Sequence, residues 1–297
     1  MARSILVPLD GSSFAEAALP TAVSLARRMD AAVCVVNVRE PIPTLAPEQW
    51  ESVTEAWSTA YLNDVERRLK DLGDVEVRSE VLEGDVAGAV SDHASATDAD
   101  LLVMSTHGRG AASRFWLGST ADAVLRHVLV PVLLVRPPED APPDFTEDVS
   151  VRRLLVALDG STHSESVLAP ALMVARAWEA DVTLLRIAPY PHEVVSVYLP
   201  DTIQMNVELF EGAKEAATIY LETARSRLLP EGVSVDTRMD VDTSAAAGIL
   251  HALSDTGADM VAVATHGFGG LRRLVLGSVA YKVVRGAQTP VLVVRPQ

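Results

Sequence analysis

A chain of 297 residues has the length of about two domains, and an apolar fraction of 48% can fill a core in each. A net charge of −15 argues against nucleic acid, which needs a basic footprint, and the longest apolar runs fall far short of the ~20 residues that cross a membrane. The single cysteine, Cys34, rules out an internal disulfide framework and a cysteine-based metal site.

The first apolar run is stopped by Asp10, so no signal-peptide core is expected and the protein reads as soluble and cytoplasmic. Residues 1–148 carry 24 acids against 12 bases, and residues 149–297 carry 16 against 13. An acidic surface repels free polyphosphate at long range. A nucleotide would therefore need local donors or a divalent cation.

Taken in order, residues 4–9 form a short apolar run and read as a buried strand. Ser13 and Glu16 have the spacing of a capping box, and Ala18, Ala22, Leu25, Ala26 and Met29 follow with helical period. Pro20 lies inside that pattern and predicts a bend, not an end. Residues 33–38 read as a second strand, with Cys34 as a buried thiol, and residues 48–72 as a longer helix whose Trp50 and Trp57 are packing residues. A strand over 75–81, a helix over Val86–Ala96, a strand over 101–104, a helix over 119–128 and a strand over Val132–Val135 complete the unit. Strands alternating with helices imply right-handed crossovers and a parallel sheet covered on both faces.

The unit occurs twice. Residues 5–12 (ILVPLDGS) match 154–161 (LLVALDGS) at an offset of 149; Tyr61, Gly118 and residues 131–137 (PVLLVRP) match Tyr220, Gly277 and residues 290–296 (PVLVVRP) at an offset of 159. The second copy thus carries ten extra residues, between Ala188 and Tyr220. Thr162 and Glu165 repeat the capping-box spacing, and Pro170 repeats Pro20. The segments expected are residues 1–138, a proline-rich acidic linker over 139–150 that reads as extended and stiff, and residues 151–297.

In each copy the fourth strand runs into a glycine turn. Ser105-Thr106-His107-Gly108-Arg109-Gly110 precedes Gly118-Ser119-Thr120, and Ala264-Thr265-His266-Gly267-Phe268-Gly269 precedes Gly277-Ser278-Val279. Nine residues separate Gly108 from Gly118 and Gly267 from Gly277. Strand, glycine loop and helix start are the parts of an anion cradle: backbone N–H groups approach closely, and the helix N-terminus adds unpaired donors and a positive dipole. A tight turn using glycine only for positive φ would account for one copy; two copies with identical spacing favour phosphate. Ligands of such sheets lie at the carboxyl ends of strands near a topological switch point. There stand Asp10, which reads either as a turn former or as a ligand acceptor, then Val38, and the glycine loop.

Other motifs fail. There is no Walker A loop, no dinucleotide fingerprint (Ser113 stands where a third glycine would be needed), no H-E-x-x-H and no nucleophile elbow. His107 and His266 have no local acid or cysteine at ligand spacing, so no metal site and no catalytic residue is assigned.

At these residues the chain resembles the universal stress protein family, in both halves. The family's signature, G-x2-G-x9-G-[ST], is met by Gly108, Gly118 and Ser119, then by Gly267, Gly277 and Ser278, with Ser105 and Ala264 replacing its first glycine. The resemblance implies two five-stranded parallel sheets, Rossmann-like and doubly wound, paired through their last strands. It implies ATP as ligand, and Mg2+ is the divalent cation that the acidic surface would call for. Asp10 and Asp159 would sit by the adenosine, and Val38 and Ile187 would meet the adenine through their backbone. His107, Gly108, Gly118 and Ser119, with His266, Gly267, Gly277 and Ser278, would hold phosphates. Flanking residues complete the expected sites: Pro8, Ser12, Met104, Ser105, Arg109, Gly110 and Thr120 in the first copy, and Ala157, Ser161, Val263, Ala264, Gly269 and Val279 in the second.

Three functions compete. A nucleotide-responsive regulatory module in stress response leads, because no residue is poised for chemistry; a homodimer of tandem chains and a regulatory protein partner go with it. A slow ATPase or nucleotidyl-transferring enzyme needs an acid or base at the γ-phosphate. A nucleotide-free oligomerisation module would keep the loops as turns.

Overall fold

A computed structural model of the chain describes residues 3–41, 47–106, 117–137, 143–189, 201–265 and 276–296. The first repeat comprises β1 (Arg3–Pro8), α1 (Ser13–Glu16), α2 (Leu19–Met29), β2 (Ala31–Arg39), α3 (Pro47–Lys70), β3 (Val77–Glu83), α4 (Val86–Ala96), β4 (Leu101–Ser105), α5 (Ser119–His127) and β5 (Val132–Val135). The second runs β6 (Arg153–Ala157), α6 (Thr162–Glu165), α7 (Leu168–Trp178), β7 (Asp181–Pro189), α8 (Asp201–Leu228), β8 (Val235–Asp242), α9 (Ala245–Thr256), β9 (Met260–Ala264), α10 (Ser278–Gly286) and β10 (Val291–Val294).

All ten strands form one sheet in the order β3-β2-β1-β4-β5-β10-β9-β6-β7-β8. Pairing is parallel within each repeat and antiparallel between β5 and β10, with Leu133 opposite Leu292. These last strands are short, apolar and buried, so leaving either as an edge would expose both apolar side chains and unpaired backbone. Successive strand residues face opposite layers. Ile5, Val7, Val33, Leu101 and Leu133 pack with α2 and α3 on one face; Leu6, Val36, Leu102 and Leu134 pack with α4 and α5 on the other. Fully burying each such side chain is worth about 1.5–3 kcal/mol.

Three expectations change. The capping box is replaced by N-caps one residue earlier: Ser12 accepts from the Ala15 N–H and Ser161 from the Ser164 N–H. Glu16 and Glu165 are drawn away by tyrosine and arginine partners on the long helices. Second, the predicted bend is a break. A four-residue helix ends, a turn intervenes, and α2 starts with Pro20 in its first turn, where a missing N–H costs nothing.

Third, the part of the linker over 143–150 is docked, not simply extended. Phe145 is buried under Arg68, whose guanidinium lies 4.9 Å from the ring centre, and Asp148 forms a two-pronged pair with Arg28. The Trp178 indole N–H reaches the Val149 carbonyl at 3.0 Å and the buried Ser24 hydroxyl at 3.2 Å, tying the linker to a helix of each repeat. Trp57 packs as expected, stacked flat on Tyr61 at 5.5 Å, while staying 46% exposed. The side chain of Trp50 lies outside the described residues. Cys34 is half-buried, and burial raises its thiol to about 11.

Candidate functional site

The strand order reverses between β1 and β4 in the first repeat and between β6 and β9 in the second, so these pairs are the switch points. Registers place Ile5 beside Leu101 and Leu154 beside Met260. Helix α1, which follows the Asp10 turn, lies against β4, and α6, which follows the Asp159 turn, lies against β9. The turn after the first strand and the mouth of the glycine loop are therefore neighbours in both repeats.

The turn is built by its own side chains. The Leu9 N–H still donates to the Val36 carbonyl at 2.8 Å, after which the chain leaves the sheet. Asp10 Oδ1 accepts from the Ser12 N–H at 2.9 Å and the Ser12 hydroxyl at 2.6 Å, while Gly11 takes φ +85°. In the second repeat Asp159 Oδ1 accepts from the Ser161 N–H at 2.8 Å and Gly160 takes φ +89°. Only glycine adopts that conformation without strain. The turn-former reading of the aspartate is thus correct, and the turn also fixes its carboxylate at the strand end, half-buried.

The loop mouth is laced by backbone bonds. The Thr106 N–H donates to the Val135 carbonyl at 2.9 Å, and the Gly118 N–H donates back to the Thr106 carbonyl at 2.9 Å. Thr265, Val294 and Gly277 repeat the pattern at 2.9 and 2.6 Å. Helices α5 and α10 then start on Gly118 and Gly277 as N-caps, with no side-chain cap bond among the described residues. Both glycines have ordinary dihedrals, φ −59° and −53° with ψ near 149° and 147°, which any residue adopts. Positive φ therefore does not explain glycine here. What glycine offers at these two positions is the absence of a side chain in front of the helix donors.

Ser105 is buried at the end of β4, beside the buried Met104; Val263 is buried and Ala264 half-buried at the matching place. Ser119, Thr120, Ser278 and Val279 are exposed on the first turns of their helices. Pro8, Ser12, Val38, Ala157 and Ile187 are half-buried at the same end of the sheet, and Ser161 is buried there. His107, Gly108, Arg109, Gly110, His266, Gly267 and Gly269 lie outside the described residues. Among the described residues no cluster of His, Cys, Asp or Glu could hold a metal ion, and no helix is long and apolar enough to cross a membrane.

The family model described as the universal stress protein family matches residues 1–136 and again 150–295. The chain belongs to the universal stress protein family. A universal stress protein of Mycolicibacterium smegmatis is 28% identical over 302 residues, covering 99% of this chain and 97% of the relative, so it shares the tandem arrangement. One from Methanocaldococcus jannaschii is 32% identical over 143 residues, 46% of this chain and 84% of its own. Among solved structures, a universal stress protein from Archaeoglobus fulgidus covers 99% of this chain and 96% of its own with a TM-score of 0.69 and 17% identity, a likeness of fold.

Within this universal stress protein the two repeats share a network that the sequence reading missed. Tyr61 donates to Glu16 at 3.0 Å, and Arg68 grips the same carboxylate at 3.0 Å on both oxygens. Tyr220 and Arg227 hold Glu165 in the same way, at 2.9 to 3.1 Å. Burial and the adjacent Glu16 carboxylate, with Asp10 nearby, hold the Tyr61 phenol well above its usual range. The repeated Tyr61 and Tyr220 were the available signal, read only as a marker of the repeat. Other positions diverge. Asn37 is buried and its amide donates to the Leu9 carbonyl at 2.8 Å; the equivalent residue, 149 further on, is Arg186.

Proposed function

We propose that this chain is an ATP-binding regulatory module of the stress response in the cytoplasm, with residues 1–138 and 151–297 as two binding units joined by 139–150. The observation that carries the reading is the pair of glycine N-caps, Gly118 and Gly277. Their dihedrals do not need glycine, their helices have no side-chain cap among the described residues, and each is bonded to the end of the strand that adjoins an aspartate turn. Helix donors left open beside a strand-end carboxylate suit a ligand with phosphate at one end and ribose hydroxyls at the other. Asp10 and Asp159 would accept from the ribose, the backbone at Val38 and Ile187 would read the adenine edge, and the loops with Gly118–Ser119 and Gly277–Ser278 would take the phosphates, with Mg2+ offsetting the acidic surface. ATP acts here as a conformational signal to a protein partner, and the tandem chain forms a homodimer.

Denaturing the purified protein and identifying released nucleotide, followed by calorimetry, tests this. ATP should bind in the micromolar range, about −8 kcal/mol, with the first repeat at least as tight as the second because Ser105 and Arg109 are replaced by Ala264 and Phe268. No carried nucleotide and no heat would overturn the reading in favour of a nucleotide-free oligomerisation module.

A further inference from the structure

We infer that the second repeat selects an adenosine nucleotide bearing a phosphate on a ribose hydroxyl, and that Arg186 is the residue that reads this phosphate. The inference rests on the nucleotide-site reading above. Arg186 lies on β7, next to β6 in the sheet, and the register pairs Leu185 with Ala157, two residues before Asp159. Its guanidinium reaches over the aspartate turn. The Cζ and Nη1 atoms lie 3.0 Å, and Nη2 3.1 Å, from the place where a Cβ on Gly160 would stand. A glycine at 160 thus serves the turn and also leaves room for the cation. The guanidinium lies over the Tyr220 ring, its Cζ 5.1 Å from the ring centre, and Tyr220 is itself held by Glu165.

A cation held over a ring face by its charge keeps its N–H donors available for an acceptor. Among the described residues Arg186 has no carboxylate and no hydrogen-bond acceptor, unlike Arg68 and Arg227, which are both committed to glutamates. In dinucleotide-binding folds a carboxylate accepts from a free ribose hydroxyl, whereas an arginine near the ribose accommodates a phosphate on it; Arg186, half-buried with its donors open among the described residues, supplies that cation beside the Asp159 turn. The first repeat lacks it. There position 37 is an asparagine whose amide is used on the Leu9 carbonyl, and Tyr61 is stacked by Trp57 instead of a cation. Position 216, which corresponds to Trp57, is an exposed alanine.

The test is calorimetry on the full chain with ATP, AMP, adenosine 3′,5′-bisphosphate and adenosine 2′,5′-bisphosphate. One bisphosphate per chain should bind at least tenfold tighter than AMP, and the 3′ and 2′ forms will show which hydroxyl carries the phosphate. Arg186→Gln should bring that site to parity with AMP while ATP binding in the first repeat persists; Arg186→Lys, which keeps charge and loses the fork, should fall between. Persistence of ATP binding in each variant shows that it is folded. ATP binding with no bisphosphate preference, or a preference that survives Arg186→Gln, overturns the inference and leaves the nucleotide reading standing. Absence of binding by all four compounds overturns both.

Discussion

The Arg295 guanidinium donates from Nη1 to the carbonyl oxygen of Arg126, 2.5 Å away across the junction of the two repeats. The equivalent pair, 159 residues apart at each end, closes the symmetry: Arg136 donates to the carbonyl of Arg285 at 3.3 Å and to Gln288 at 3.1 Å. Arg126 and Arg285 lie in the last turns of α5 and α10, where carbonyls have no partner within their own helix. Each repeat therefore caps the other's loop-bearing helix with the arginine that follows its last strand. Removing one such bond leaves a half-buried carbonyl short of a charged donor, which costs about 1–3 kcal/mol. Arg295→Ala should lower the unfolding free energy by that amount, read as a lower urea midpoint at an unchanged denaturant slope, and an unshifted midpoint would show that water replaces the arginine.

Pairing of β5 with β10 makes a prediction about the isolated half. Residues 1–140 expressed alone would expose the backbone edge and apolar faces of Val132–Val135, which Val291–Val294 covers in the full chain. A second copy of that half offers the same four-residue apolar strand, so it should form a symmetric antiparallel dimer. Sedimentation at tens of micromolar checks this; a stable monomer would mean that the junction depends on side chains unique to the second half.

The architecture was legible because strand and helix periods repeat twice and the last strands carry the same apolar run. What escaped were choices between partners. Glu16 has capping-box spacing, yet a two-pronged arginine and a tyrosine hydroxyl hold a carboxylate better than one backbone N–H does. Pro20 inside a helical pattern predicts a bend in one helix, whereas the first turn of a new helix accommodates it without loss. Linker prolines suggested an extended strap, while Phe145 and Asp148 supplied an apolar and a charged anchor that composition alone does not reveal. At the candidate site, Asp10 and Gly118 were visible as motif residues. Arg186 was not, because it belongs to no motif and stands out only when the repeats are compared position by position.

The Glu165 network gives a pH dependence. Its carboxyl is held below the ordinary value of 4.5, chiefly by the Arg227 hydrogen bond and then by Tyr220. A depressed folded-state value means that the unfolded chain binds the proton more readily. The contribution is therefore complete above about pH 4.5 and is lost as pH falls through the folded value. Glu165→Gln should remove it at neutral pH and flatten the acid limb of the stability profile below pH 4.5, as read by urea unfolding at stepped pH. An acid limb as steep as that of the parent chain would place the dependence in other carboxylates.

Gly118 separates the two readings of its loop by a single methyl group. Because its φ is −59°, alanine fits the backbone, and the change costs stability no more than about 1 kcal/mol as an altered N-cap. If the glycine serves only the turn, Gly118→Ala should leave ligand binding untouched. If it keeps the helix donors open to phosphate, the added Cβ should weaken ATP binding in the first repeat about tenfold, equivalent to about 1.4 kcal/mol. Gly118→Glu, which sets a carboxylate in the phosphate position, should abolish binding there, and Gly277→Glu should do the same in the second repeat alone. Calorimetry with both single variants and the double variant resolves the sites. Full ATP affinity at the first site in Gly118→Glu, measured with the second blocked by Gly277→Glu, would remove that loop from the binding site.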